Sequence, residues 1–358
     1  MSPLRICLIA SSRFPVREPF AGGLEAHTYA LATQLMSRGH SVSVFAAPGS
    51  DQRLNPRELE VAPLNLSEHA RADVAAPADV WMQEHHAYLS LMLSLAAAGQ
   101  GAFDVIHNNS LHHLPVAMSP AVAVPMLTTL HTPPTPWLES ALQFAAPNSR
   151  FVAVSSTSAT QWRGAADLGV IRNGIDVHRW PSGAGGEHAV WFGRIVPEKA
   201  PHLALEAARR AGMAIVLAGP IYDRDYYDSE IAPRLNSHAS YAGHLNTTEL
   251  AHLVGRSAVT AVTPIWEEPY GLVAAESMSC GTPVAAFSRG GLTEVVGPDG
   301  GVLCPPDDVE KLAAALIEAR DLPREKVRAF ACEFLSHERM IDEYEREFCE
   351  MSAVVAAA

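Results

Sequence analysis

The chain has 358 residues, 48% of them hydrophobic and 18% charged, with a net charge of −13. Such a chain buries a sizeable core, is long enough for two domains, and is neither disordered nor fibrous. Its acidity argues against nucleic acid as the main partner, and with Lys199, Lys311 and Lys326 as the whole lysine complement there is no lysine-rich membrane patch. Residues 6–10 form a continuous apolar run, as expected of a parallel strand covered on both faces. A loop follows, and Gly22-Gly23 open a helix carrying Leu24, Tyr29, Leu31 and Leu35 that ends at Gly39. Further strands are expected at 41–46, 104–107, 124–130 and 151–154, with a helix at 81–98.

The small residues Pro181 to Gly186 read as a linker, with a hinge expected across 176–186. The pattern then restarts, with strands at 189–193, 213–219, 258–263 and 283–287. Helices are expected at 197–211, 271–280 and 309–319, then charged helices from 324 to 352. Strand, helix, strand at this spacing implies right-handed parallel crossovers, so the fold class is α/β with two doubly wound domains facing across a cleft. No apolar run reaches the roughly 18 residues that span a bilayer, which allows at most a peripheral membrane contact. Five cysteines without a Cys-x-x-Cys pair suit free thiols in the cytoplasm.

Ligands of such sheets bind beyond the carboxyl ends of the strands, so polar residues just after strands are the candidates. After strand 258–263 comes Glu268-Pro269-Tyr270-Gly271-Leu272-Val273, then Glu276 and Cys280-Gly281-Thr282-Pro283. Free amides at this helix start suit phosphate oxygens, and the two carboxylates suit hydroxyls. A nucleotide sugar offers both. After strand 189–193 come Gly193-Arg194 and Lys199, two cations within reach of one diphosphate. After strand one come Gly22 and Gly23, without the Gly-x-Gly-x-x-Gly fingerprint of dinucleotide binding. His131 ends strand 124–130, and His107, Asn108, Asn109, Ser110, His112 and His113 form a polar knot after strand 104–107. The knot lacks acidic or cysteine partners at metal-ligand spacing and reads as a structural or acceptor-facing loop.

The run Glu-Pro-Tyr-Gly-Leu-Val-x-x-Glu-x-Met-x-Cys-Gly-Thr-Pro-Val from Glu268 resembles the retaining family 4 glycosyltransferases (glycosyl transferases group 1) of GT-B fold. The segments at Gly22-Gly23, His131, Asn173-Gly174-Ile175-Asp176, Gly193-Arg194-Lys199 and Ser288-Arg289-Gly290-Gly291 resemble them too. Ala200 stands where a glycine is common, and Tyr270 replaces a frequent phenylalanine. The resemblance implies a metal-independent hexosyltransferase that takes a sugar from a nucleoside diphosphate. UDP is the first expectation, with GDP and ADP open, and no separate cofactor is expected. Residues 1–178 would be the acceptor-side domain and 179–334 the donor-binding domain, with a helix at about 335–358 packing back on the first. Arg194 and Lys199 would take up leaving-group charge, Glu268 and His131 would contact the transferred sugar, and Glu276 would bind ribose. Gly22, Gly23, Gly193, Tyr270, Gly271, Leu272 and Val273 would line the donor site. A non-catalytic nucleotide-sugar binder or a GT-B epimerase is the alternative. The sugar, the acceptor and the oligomeric state are not readable.

Overall fold

The computed structural model describes residues 2–162, 165 and 168–357. Two parallel sheets carry the fold. The first is built from β1 (Arg5–Ile9), β2 (Ser41–Ala46), β3 (Pro56–Glu58), β4 (Val105–Asn108), β5 (Met126–Leu130), β6 (Arg150–Ala153) and β7 (Leu168–Val170), in the order β3-β2-β1-β4-β5-β6-β7. The second comprises β8 (Ala189–Phe192), β9 (Ile215–Ala218), β10 (Ala239–Tyr241), β11 (Val259–Val262), β12 (Val284–Phe287) and β13 (Gly301–Cys304), in the order β10-β9-β8-β11-β12-β13. All named pairings are parallel. Ile6, Cys7, Leu8 and Ile9 are fully buried, which explains a strand written as an unbroken apolar run. In each sheet the order reverses beside the first strand, at β1/β4 and β8/β11, and ligands bind at such switch points.

The helix His337–Ala357 returns to the first domain. It sends Met340, Ile341, Tyr344, Phe348 and Met351 into the core formed with Leu31, Leu35 and Val44. The crossing is stitched at Ile175, whose N–H donates to the Leu335 carbonyl and whose carbonyl accepts from the His337 N–H, both at 2.9 Å.

Two expectations are corrected. Residues 181–186 are not a free linker, because the Gly183 N–H donates to the Cys280 carbonyl (3.0 Å) and the Gly185 N–H to the Gly255 carbonyl (2.9 Å). The small residues there serve close packing, since a Cβ at Gly183 would lie 2.1 Å from the Gly255 carbonyl oxygen. The helix expected from 197 is broken. Pro197–Lys199 forms a 3-10 turn, Ala200 turns left-handed (φ 46°), and the α-helix runs Pro201–Ala211. The residue before a proline avoids the helical region, so Pro201 forces the break. The left-handed Ala200 also explains why a glycine suits this position.

Candidate active site

A cleft enclosing about 320 Å³ lies between the carboxyl ends of the two sheets. All twelve site residues expected from sequence line it. Gly22, Gly23 and His131 come from the first domain, and the other nine from the second. The two walls nearly touch at the glycines. A Cβ at Gly23 would sit 2.9 Å from Leu272 Cδ1, and one at Gly22 would lie 3.8 Å from Arg194 Cδ. Larger residues there would hold the domains apart.

Gly271 sets the second wall. It is left-handed (φ 103°), and a Cβ would lie 2.5 Å from Leu292 Cδ2. That conformation lets the backbone turn into the helix Leu272–Ser279, whose first residues line the cleft and whose Leu272 and Val273 N–H groups have no partner among the described residues. Lys199 Nζ is 2.5 Å from Glu268 Oε2 and 5.1 Å from the centre of the Trp266 ring. Trp266 Nε1–H donates to the same carboxylate oxygen at 3.0 Å. The Arg194 guanidinium lies over the Tyr222 ring at 5.5 Å and makes no ion pair among the described residues. It is the uncommitted cation of the cleft.

The two carboxylates differ. Glu268 is paired, whereas Glu276 has no hydrogen-bond or ion-pair partner among the described residues, and burial pushes its carboxyl up to about 8. Glu25 also faces the cleft, and burial raises its carboxyl while Arg194 opposes the shift. On the first wall, His131 Nε2 bonds Asn109 Oδ1, and burial holds the ring far below the ordinary histidine range.

Family sequence signatures match both halves: "Glycosyltransferase Family 4" over residues 21–179 and "Glycosyl transferases group 1" over 179–331. A glycogen synthase of Mycobacterium tuberculosis is 32% identical, over 89% of this chain and 87% of that protein. The chain belongs to glycosyltransferase family 4. A D-inositol 3-phosphate glycosyltransferase of Saccharomonospora viridis is 28% identical over 91% of this chain and 88% of that one. In fold, the transferase is similar to Anabaena HepE, solved with UDP and glucose. The TM-score is 0.75 at 18% identity, covering 97% of this chain and 99% of HepE. This is a GT-B glycosyltransferase of two Rossmann-like domains.

Several cleft residues of the transferase escaped sequence reasoning. Trp266, two residues before Glu268, anchors that carboxylate; its place beside a recognised motif was the available signal. His27 is 3% exposed, and both its ring nitrogens lack partners. It sits among apolar residues of a helix, where nothing in sequence separates it from a packing residue. The polar knot divides. Asn108 and Asn109 are wholly buried, while His112 and His113 stack on each other (4.4 Å) and on Tyr88 and Trp137 (4.3 and 4.8 Å). No described helix is long and apolar enough to cross a membrane.

Proposed function

We propose that this glycosyltransferase moves a hexose from a nucleoside diphosphate, UDP in the first instance, to an acceptor hydroxyl with retention and without a divalent metal, in the cytoplasm. The observation that carries this reading is the convergence, in one cleft, of Arg194, Lys199 and the start of the helix Leu272–Ser279. The complex of HepE with UDP and glucose supports a UDP-linked hexose. The names of the glycogen synthase and inositol phosphate transferase relatives support a sugar donor and leave the acceptor open.

The chemistry follows from charge. As the glycosidic C–O bond breaks, negative charge builds on the diphosphate and positive charge on the anomeric centre. Arg194, Lys199 and the helix amides stabilise that diphosphate more in the transition state than in the ground state. Lys199 first exchanges its partner, since Glu268 holds it in the free protein. The freed Glu268 then accepts from a hydroxyl of the transferred sugar, and Glu276 from the ribose. The acceptor attacks the face that the phosphate leaves, and the phosphate oxygen takes its proton. Two cations and a helix dipole supply the charge that a metal ion supplies elsewhere.

The test is UDP release from UDP-glucose by the purified protein. Arg194→Ala is expected to lower turnover by roughly 10²–10³, the scale of one preorganised stabiliser. Unchanged turnover at saturating donor would remove Arg194 from the mechanism. EDTA is expected to leave the rate unchanged, and loss of activity restored by Mg²⁺ or Mn²⁺ would overturn metal independence. A product of inverted anomeric configuration would overturn retention.

A further inference from the structure

The hydrogen-bond chain behind His131 has a direction that can be read from its far end. The Thr28 hydroxyl lies 2.8 Å from the Leu24 carbonyl oxygen, which can only accept, so the hydroxyl proton is spent there. Thr28 Oγ1 can then only accept from Asn109, 2.6 Å away, and the atom facing it must be the amide Nδ2. Asn109 therefore turns Oδ1 toward His131, and an amide oxygen can only accept. His131 Nε2 must carry the proton.

We infer that Asn109 is a positioning residue that locks His131 as the Nε2–H tautomer, leaving Nδ1 as a bare lone pair that accepts a hydrogen bond from a sugar hydroxyl in the cleft. Three further observations support this. Asn109 is wholly buried, and its own N–H is tied to the Ile9 carbonyl at 2.9 Å, so the amide is held in one place. His131 Nδ1 has no partner among the described residues, yet it is not among the side-chain atoms sealed from solvent without one, and the residue lines the cleft. The ring's other neighbours reinforce neutrality. His27 packs edge-on at 5.0 Å, His107 lies nearby with Nε2 bonded to Thr129, and Tyr344 reaches the same threonine. No carboxylate among the described residues bonds the ring, and His27 and His107 both oppose a second proton. A ring so held is a poor base, so His131 accepts a hydrogen bond from a hydroxyl and does not remove its proton. The group that bonds one ring nitrogen of a histidine determines which nitrogen is available, and here that group is a neutral amide.

The inference rests on the proposed function for the sugar, and the tautomer can be tested without it. Histidine ¹⁵N spectra at pH 7 report the protonation of each ring nitrogen, and loss of a signal in His131→Gln picks this residue from the 16 histidines. An Nε2–H, bare-Nδ1 signal is expected. An Nδ1–H signal would overturn the inference whatever the donor proves to be. Asn109→Ala is expected to mix the tautomers and to lower UDP-glucose turnover by up to about 10²-fold, the scale for a misplaced contact. UDP affinity is expected to stay unchanged, because in this reading His131 meets the transferred sugar and not the nucleotide. Asn109→Asp still accepts from Nε2–H, with Thr28 turning its hydroxyl to the second oxygen. It should keep the tautomer, recover turnover, and show an acid limb in its pH profile where the wild type is flat. Equal turnover in wild type and Asn109→Ala would overturn the inference, as would a parallel loss of UDP binding. If wild type fails to turn over UDP-glucose, the proposed donor fails and the tautomer spectrum alone decides Asn109.

Discussion

The two carboxylates of the Glu268–Glu276 motif look equivalent in sequence and are opposites in the fold. Glu268 is paired with Lys199 at 2.5 Å and accepts from the Trp266 N–H. Glu276 has neither, because every neighbouring helix position is apolar or small, and burial pushes its carboxyl from 4.5 to about 8. This has a measurable sign. Between pH 4.5 and 8 the folded carboxyl holds a proton that the unfolded one has lost. Raising the pH through that window therefore removes stability. Glu276→Gln has no such proton to lose. The Tm of Glu276→Gln minus that of wild type, both free of ligand, is expected to climb from pH 5 to pH 8 and to level off above. Parallel Tm profiles would show that the carboxyl ionises normally. Motif spacing gave the identity and place of Glu276, since carboxylate, glycine and turn all lie in one local stretch. Its ionisation depends on which distant side chains fail to reach it, and local sequence does not carry that.

At the scale of elements, the long strands and helices were readable because their apolar periodicity is unambiguous, and the edges were not. β3, β7 and β10 are three-residue edge strands in sequences such as Pro-Arg-Glu and Ala-Ser-Tyr, with no periodicity to read. The Ser288–Gly291 turn was legible as a glycine pair after a strand, but its work was not. It braces the loop that carries Glu268. The Gly291 N–H donates to the Glu268 carbonyl at 2.7 Å, and the Gly290 N–H to Glu267 Oε2 at 3.0 Å. Gly290 is left-handed (φ 52°), and a Cβ there would lie 2.2 Å from the Glu268 carbonyl oxygen. Gly290→Ala therefore adds both a strained backbone and a clash with backbone. It is expected to cost about 2 kcal/mol or more of stability, read as the shift in urea midpoint. It should also lower turnover by displacing Glu268, although residue 290 does not line the cleft. Normal turnover in a destabilised Gly290→Ala protein would separate the brace from the catalytic loop.

For the whole molecule, the chain order of strands and helices was enough to give two facing sheets, because parallel crossovers leave few alternatives. How the halves are tied together was less legible, because it depends on contacts some 300 residues apart. Arg38 bonds Asp342 at 2.5 Å and also Glu345, while His40 Nε2 lies 2.8 Å from the other Glu345 oxygen. Beneath these contacts, the last helix seats Met340, Ile341, Tyr344, Phe348 and Met351 against the first sheet's core, all at most 3% exposed. Full burial of such a side chain stabilises by about 1.5–3 kcal/mol, so five of them contribute on the order of 10 kcal/mol, comparable with the entire stability of a domain. Removing everything after Glu333 would take Leu335 alone from the second domain's core clusters, yet strip the first domain of one face. Such a truncated protein is expected to lose the cooperative unfolding transition of the N-terminal half. It should also lose amide exchange protection in β1, β4 and the helix Gly23–Ser37, while β8 and β11 stay protected. Full protection of β1 in the truncated chain would show that the first domain stands without the returning helix. Loss of protection in both sheets would show that the Ile175–His337 stitch couples their folding.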